Sequence, residues 1–220
     1  MDKKDNVREI ALDILLDVEK NNDFVKDVLN RQLYAHQFMS KQDRAFLSRL
    51  VEGVTEYRIQ IDYIVDCYSK TPINKCKPLI RALLRMGVYQ MFYMESVPDT
   101  AAVNECVKLA KKRGFSNLSG FINGVLRQIS RNKNNINYPS ENDNPIDYLS
   151  IRYSMPAWIV KRYISWFGEN KAKIILHASL NNKDICIRVN ERMISVNDLA
   201  EKIRECDIEV KPGIYVDDAL

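Results

Sequence analysis

The sequence is poor in the residues that build disulfide frameworks, metal centres and nucleotide loops. Five cysteines and two histidines are spread over 220 residues. The cysteines (Cys67, Cys76, Cys106, Cys186 and Cys206) form no Cys-x-x-Cys pair, and neither His36 nor His177 has a partner at metal-ligand spacing. A disulfide framework and a zinc site built on close ligand pairs are therefore not expected, and these seven read as packing or surface residues. The seven glycines, Gly53, Gly87, Gly114, Gly120, Gly124, Gly168 and Gly213, make no glycine-rich cofactor loop. No apolar run approaches the roughly 18 residues that a membrane helix needs. The N-terminus leads into a segment broken by Glu9, Asp13 and Asp17, so it is no signal peptide. A cytoplasmic protein with no membrane partner is expected.

Charge is present but uneven. The net formal charge is +4, yet residues 67–133 carry 12 Lys/Arg against 3 Asp/Glu. The flanking stretches are mildly acidic, 10 against 13 over residues 1–66 and 11 against 13 over residues 134–220. A basic middle suits a polyanion, and it equally suits a solvated surface.

Helical periodicity runs through the first 131 residues. Val7, Ile10, Ala11, Ile14, Leu15 and Val18 fall on one stripe, as do Leu47, Leu50, Val51 and Val54. Asp23 and Asp99 read as N-caps, and Ser40 with Asp43 as a capping box with a shorter acid. Pro78 fits the first turn of a helix that is apolar on nearly every side apart from Arg81, Arg85 and Gln90, so this helix belongs at the centre of a bundle. Gly87 in that helix predicts a close helix crossing, and Arg81 and Arg85 are expected to pair with Asp or Glu. Lys111-Lys112-Arg113-Gly114 reads as a helix C-terminus, and Leu118, Phe121, Ile122, Val125, Leu126 and Ile129 as the seventh helix.

Residues 132–145 are polar and asparagine-rich, the composition of a linker. Beyond it a helix near Ile146–Tyr153 precedes Pro156. Trp158, Ile159, Tyr163, Trp166 and Phe167 make an aromatic helix stopped at Gly168, and another helix runs through Ala172 and Leu176. Ile185, Ile187 and Val189 alternate as a strand does, Ser195 caps a helix, and Ile208–Val210 and Ile214–Val216 read as short strands joined at Pro212-Gly213. The expected fold is mainly α. A helical bundle of about seven helices over residues 1–131 is followed by the linker and, over residues 146–220, by a small, incomplete α+β domain truncated at Leu220.

Three runs in the first half closely resemble the signatures of the NusB-like helical domain. They are Leu84-Arg85-Met86-Gly87-Val88-Tyr89-Gln90 with Val97-Pro98, then Ala101-Ala102-Val103-Asn104-Glu105, then Phe121-Ile122-Asn123-Gly124-Val125-Leu126-Arg127. Ile151-Arg152-Tyr153-Ser154-Met155-Pro156 with Trp158, Arg162, Phe167-Gly168 and Ile187-Arg188-Val189-Asn190 resemble the segment that follows that domain in the Sun/Fmu family of bacterial 16S rRNA cytosine-C5 methyltransferases. The resemblance implies a three-part enzyme: a helical domain, an RNA-recognition-like α+β domain, and a catalytic domain using S-adenosylmethionine and two cysteines. The family's catalytic cysteines follow Pro and Thr, whereas here Asp66, Lys75, Glu105, Ile185 and Glu205 precede the cysteines. The chain is thus expected to hold no catalytic, cofactor-binding or metal residue, to be inactive alone, and to have the missing catalytic domain as an intramolecular partner. The alternative is a free-standing NusB-type transcription antitermination factor.

Small-subunit ribosomal RNA is the partner this implies, and the candidate RNA-binding residues are Lys108, Lys111, Lys112, Arg113, Arg127, Arg131, Arg152, Arg188 and Asn190. The four cations of 108–113 could hold phosphates or merely complement the helix dipole. For Asn123-Gly124, helix packing is the favoured reading, with Gly124 admitting a neighbour and Asn123 bonded inside the bundle. Arg152, Tyr153, Trp158, Arg162, Arg188 and Asn190 mix charge with aromatics in the way single-stranded RNA sites do, although Trp158 and Trp166 are expected in the core. Free-standing relatives carry an arginine-rich N-terminal arm; this chain offers Lys3, Lys4 and Arg8.

Overall fold

The computed structural model describes residues 6–180, 185–214, 216 and 218–220. Lys3, Lys4 and Tyr215 lie outside them. The chain divides into two compact units, residues 1–179 and 180–220.

The first unit is helical. Asn6 caps α1 (Val7–Asn21) by accepting from the Arg8 amide. Helix α2 (Val25–Ala35) starts at Phe24 with no side-chain cap. Asp23 sits one residue too early for that role and instead pairs with Arg31 at 3.1 Å. The Ser40 capping box opens α3 (Lys41–Glu56): its Oγ accepts from the Asp43 amide at 3.1 Å. Helix α4 (Arg58–Tyr68) follows after one residue.

Helix α5 (Pro78–Tyr93) begins with proline at its first turn and buries ten of its residues, as an all-round apolar helix must. It packs against α1, α3, α4, α6 and α7. A Cβ on Gly87 would stand 2.7 Å from Leu126 Cδ1, so glycine is what lets α7 approach. Gln90 is fully buried yet satisfied, donating to Met86 O at 2.9 Å and accepting from Arg8 Nε at 2.6 Å.

Helix α6 (Asp99–Lys112) has no side-chain cap. Asp99 is its first residue, and its carboxylate instead accepts from Ser130 Oγ at 2.7 Å. The far end closes as expected: Gly114 is left-handed at φ 83°, and Phe115 N donates to Ala110 O at 2.8 Å. Helix α7 (Ser119–Arg131) completes the bundle around one continuous core.

Segment 132–145 is tied down along α4. Tyr63 Oη donates to Asn137 O at 2.6 Å, and its ring stacks on Tyr138. Helix α8 (Pro145–Arg152) also packs on α4: the buried Gln60 donates to Arg152 O at 3.2 Å, and Ile59 N donates to Ser154 Oγ at 3.1 Å. Helix α9 (Ala157–Leu180) breaks at Gly168, whose φ of 75° no other residue adopts cheaply. Leu149, Val160 and Leu176 form a second, smaller core under it. Helix α8, and α9 as far as Ser179, lie within the first compact unit.

In the second unit Ser195 caps α10 (Val196–Arg204), accepting from the Asp198 amide. The expected strands form no ladder among the described residues. One antiparallel bridge joins Arg188 to Ala219, with Ile187 and Leu220 exchanging two 3.0 Å bonds. The segment 187–189 thus pairs with 218–220, while Ile208–Val210 forms no strand. The alternation misleads because Ile185 and Ile214 are about nine-tenths exposed and only Val189 is buried. Pairing this short is marginal without a covered apolar face.

Candidate nucleic-acid interface

The basic middle is less basic once folded. Arg81 pairs with Glu19, and Arg85 makes a two-pronged contact with Asp62 at 2.7 Å on both nitrogens. These α5 arginines are structural, as their core position predicts. At the end of α6, Lys112 pairs with Glu9, while Arg113 reaches Glu9 at 3.2 Å and Asp13 at 2.6 Å. The Lys112 ammonium holds the Glu9 carboxyl below its ordinary range, against a partial burial that pushes the other way. Two of the predicted phosphate ligands are thus spoken for by α1. Lys108 pairs within its own helix with Glu105 at 2.7 Å and stays exposed. Lys111 is exposed and makes no ion pair among the described residues.

Helix α7 offers the barer surface. A Cβ on Gly120 or on Gly124 would meet nothing within 4 Å. Gly124 therefore admits no neighbouring helix, and Asn123 bonds outward, accepting from Arg127 Nε at 2.9 Å. The packing expectation for this motif is overturned. Gly120, Gly124, Arg127 and Arg131 recur at helical spacing and share one exposed face. Gly124, in mid-helix, costs about 1 kcal/mol of helix propensity that no packing repays, while Gly120 lies in the first turn. A bare backbone followed by two cations suits the close approach of a phosphodiester chain.

The two cationic groups do not form one patch. Ser130, near the end of α7, bonds Asp99 at the start of α6, so the two helices run antiparallel. Lys111 lies about 18 Å along α6 from that junction, at 1.5 Å per residue. Lys108 and Lys111 thus mark one end of the helix pair, and Arg127 and Arg131 mark the other.

The remaining candidates are placed singly. Arg152 is exposed at the end of α8. In the second unit Arg188 is tied to Asp218 at 2.6 Å, and Asn190 accepts from the Arg192 amide at 3.3 Å. Trp158 and Trp166 are 64% and 62% exposed, so neither is core, and Arg162 lies between their rings. The core stripe of α9 is Val160, Tyr163 and Ile164. A charged residue midway between two tryptophans at i, i+4, i+8 was a readable signal of an outward face. Arg8, the one cation of the N-terminal segment within the described residues, is held by Gln90 and lies over Phe46.

Other chemistry is thinly represented. Among the described residues no group of three His, Cys, Asp or Glu could hold a metal, and no helix is long and apolar enough to cross a membrane. A cavity of about 480 Å³ beside α1, α3 and α5 is lined by Glu19, Arg58, Arg81 and Arg85, two of whose arginines already pair.

Comparison with known proteins identifies the architecture. Residues 5–131 match the NusB family, and residues 155–220 match the Methyltr_RsmF/B-like, ferredoxin-like domain. The chain is 34% identical, over 99% of its length, to the "Probable ribosomal RNA small subunit methyltransferase B" of Bacillus subtilis, and spans 48% of that relative. A relative of the same description from Synechocystis is 28% identical over 92% of the chain, which spans 45% of it. The "Transcription antitermination protein NusB" of Chloroflexus aggregans is 35% identical over 56% of this chain and 84% of its own. Among solved structures, that of PH0851 matches 98% of the chain and 48% of its own at TM-score 0.61 and 15% identity. The NusB of a NusB–NusE–dsRNA complex matches 57% of the chain and 93% of its own at TM-score 0.53 and 21% identity. At these identities the structural likenesses show the fold. The chain spans about half the length of the curated methyltransferase relatives.

Proposed function

The chain belongs to the NusB family, and from that premise we propose that it is the rRNA-recognition part of an S-adenosylmethionine-dependent 16S rRNA cytosine-C5 methyltransferase, working in the cytoplasm. The carrying observation is the order of the two matched domains, with methyltransferase relatives aligned along 99% and 92% of the chain. A free-standing antitermination factor accounts for residues 5–131 and gives no role to 155–220. In this reading residues 1–131 form the RNA-binding helical domain and 132–145 the linker. Residues 146–220 belong to the RNA-recognition-like domain.

RNA is held mainly through phosphates. Lys111 with Lys108, and Arg127 with Arg131, are the cations that the fold leaves accessible at the two ends of the α6–α7 pair. The residues present do not fit S-adenosylmethionine, because the cavity on α1, α3 and α5 is walled by paired charges and no glycine-rich loop exists. We therefore derive no step through the cofactor or the methyl transfer on this chain's residues.

The test is a fluorescence titration of the chain against transcribed small-subunit rRNA and an unrelated RNA of equal length, at several salt concentrations. Tighter, salt-sensitive binding to the small-subunit rRNA is expected. Equal affinity for both would sink the rRNA assignment. In parallel, the chain incubated with labelled S-adenosylmethionine and undermodified rRNA should transfer no label; transfer above a boiled control would place the chemistry in this chain.

A further inference from the structure

The first half of α9 turns its two largest side chains to solvent. Trp158 and Trp166 are 64% and 62% exposed, while the opposite face packs Val160, Tyr163 and Ile164 into the small core with Leu149 and Leu176. Exposed tryptophan is unusual, and two on one helical face, with only the half-exposed Phe167 edge-on beside Trp166, call for an occupant. Between them stands Arg162, its guanidinium 5.8 Å from the Trp158 ring centroid and 5.2 Å from that of Trp166. Among the described residues Arg162 makes no ion pair. Residues 158, 162 and 166 are spaced i, i+4, i+8, so the three π surfaces form a ladder about 12 Å long on the helix axis.

We propose that Trp158, Arg162 and Trp166 form a stacking site for the unpaired bases of single-stranded RNA. Charge decides the occupant. Over residues 150–173 there are five Lys/Arg against the single acid Glu169; Lys173 is spent on Glu169 and Glu141, which leaves Arg152, Lys161, Arg162 and Lys171 with no ion pair among the described residues. An apolar polypeptide face gains nothing from that surround, and a second copy of this chain would bring the same positive charge. Single-stranded nucleic acid supplies flat rings for the indoles and phosphates for the cations. Duplex RNA supplies the phosphates alone, because its bases are already stacked. Arg162 keeps the indoles apart and can itself stack or take a phosphate. The site is built within one helix and stands whether or not the α6–α7 cations hold rRNA.

The chain has only two tryptophans among eleven tyrosines, so emission excited selectively in the indole band reports this site alone. The full chain is titrated with an unstructured ten-nucleotide RNA, with a ten-base-pair RNA duplex, and with heparin. Saturable quenching by the single strand, weak or absent with the duplex and heparin, is expected. With a labelled single strand, Trp158→Ala and Trp166→Ala should each weaken binding about tenfold. Trp158→Phe and Trp166→Phe, which keep a ring, should lose less. Because the indoles are exposed, all four variants should keep the wild-type helical circular dichroism. Equal quenching by duplex or heparin, or Ala variants that bind as the wild type does, would overturn the proposal. So would a concentration-dependent dimer in sedimentation that both Ala variants abolish, since the face would then join two copies.

Discussion

Arg113 and Asp13, a hundred residues apart, meet through one guanidinium nitrogen that lies 2.6 Å from both carboxylate oxygens. With Glu9 beside them, this pair turns the C-terminus of α6 from an open cationic end into one already answered by α1.

Removing that answer should strengthen RNA binding. Glu9→Gln with Asp13→Asn frees Lys112 and Arg113. Each cation that then engages a phosphate should steepen the log–log salt dependence by about 0.7–0.9. The same change should cost stability only modestly, about 0.2–1 kcal/mol per pair, because these side chains are solvent-screened. Salt-dependent titration and a thermal melt read the two effects. Unchanged affinity in the double variant would mean that this end of α6 meets no RNA.

The wild-type ranking follows from the same geometry. Arg127→Ala with Arg131→Ala should weaken RNA binding more than Lys112→Ala with Arg113→Ala, since the second pair is spent on α1. The reverse order in a direct comparison at low salt would contradict the interface drawn above.

Two glycines should respond oppositely to alanine. Tyr89 lies directly on Gly53, and a Cβ there would fall inside its ring, so Gly53→Ala should cost about 1–3 kcal/mol by overpacking. Gly124 faces open space, so Gly124→Ala should stabilise by about 1 kcal/mol. If RNA crosses the α7 surface, Gly124→Ala should also weaken binding while the melting temperature rises. Denaturant melts and RNA titration of both variants decide this, and a destabilised Gly124→Ala would refute the open-face reading.

The buried helices were legible because their signals are local. Stripes such as Ile61–Ile64–Val65, the first-turn Pro78, and the Ser40 and Ser195 caps rest on neighbours within one or two turns. Gly87 was legible too, since a glycine inside an apolar helix has few other reasons to be there. The charge map was not, because Glu9 and Asp13 reach Lys112 and Arg113 across the whole bundle, and counts along the chain cannot register that neutralisation. The α9 tryptophans were not legible either, because apolar size alone does not fix burial. The smaller Val160 and Ile164 fill the core instead. The strand alternation of Ile185–Val189 was legible in part, since 187–189 pairs with 218–220 through one bridge and a period of two needs a partner surface before it fixes a ladder.

Thiol chemistry should separate the cysteines. Cys106 is fully buried, its thiol donates toward Leu83 O, and burial pushes its pKa up to about 12. Cys67, Cys186 and Cys206 are exposed. A disulfide reagent at pH 8 should label these three quickly and leave Cys106 unmodified until denaturant is added. Fast native labelling of Cys106, read by mass spectrometry, would mean that the α5–α6 contact opens readily.

The docking of α1 on α6 should carry its own acid dependence. The hydrogen bond from Lys112 is the largest influence lowering the Glu9 carboxyl, and the charges of Lys112 and Arg113 add to it. A carboxyl depressed in the fold favours folding above its unfolded range, and that contribution is lost as pH falls through the folded value. Glu56 and Asp66 shift upward, chiefly through burial, and so oppose Glu9 in the total. The bare pH profile of the melt is therefore ambiguous, and the informative quantity is the difference between wild type and Glu9→Gln. That gap should be widest near pH 7, about 1–3 °C, and should close only as pH falls below the ordinary carboxylate range and through the depressed folded value of Glu9. A gap that stays constant from pH 7 to pH 3 would show that Glu9 contributes packing rather than charge at this junction.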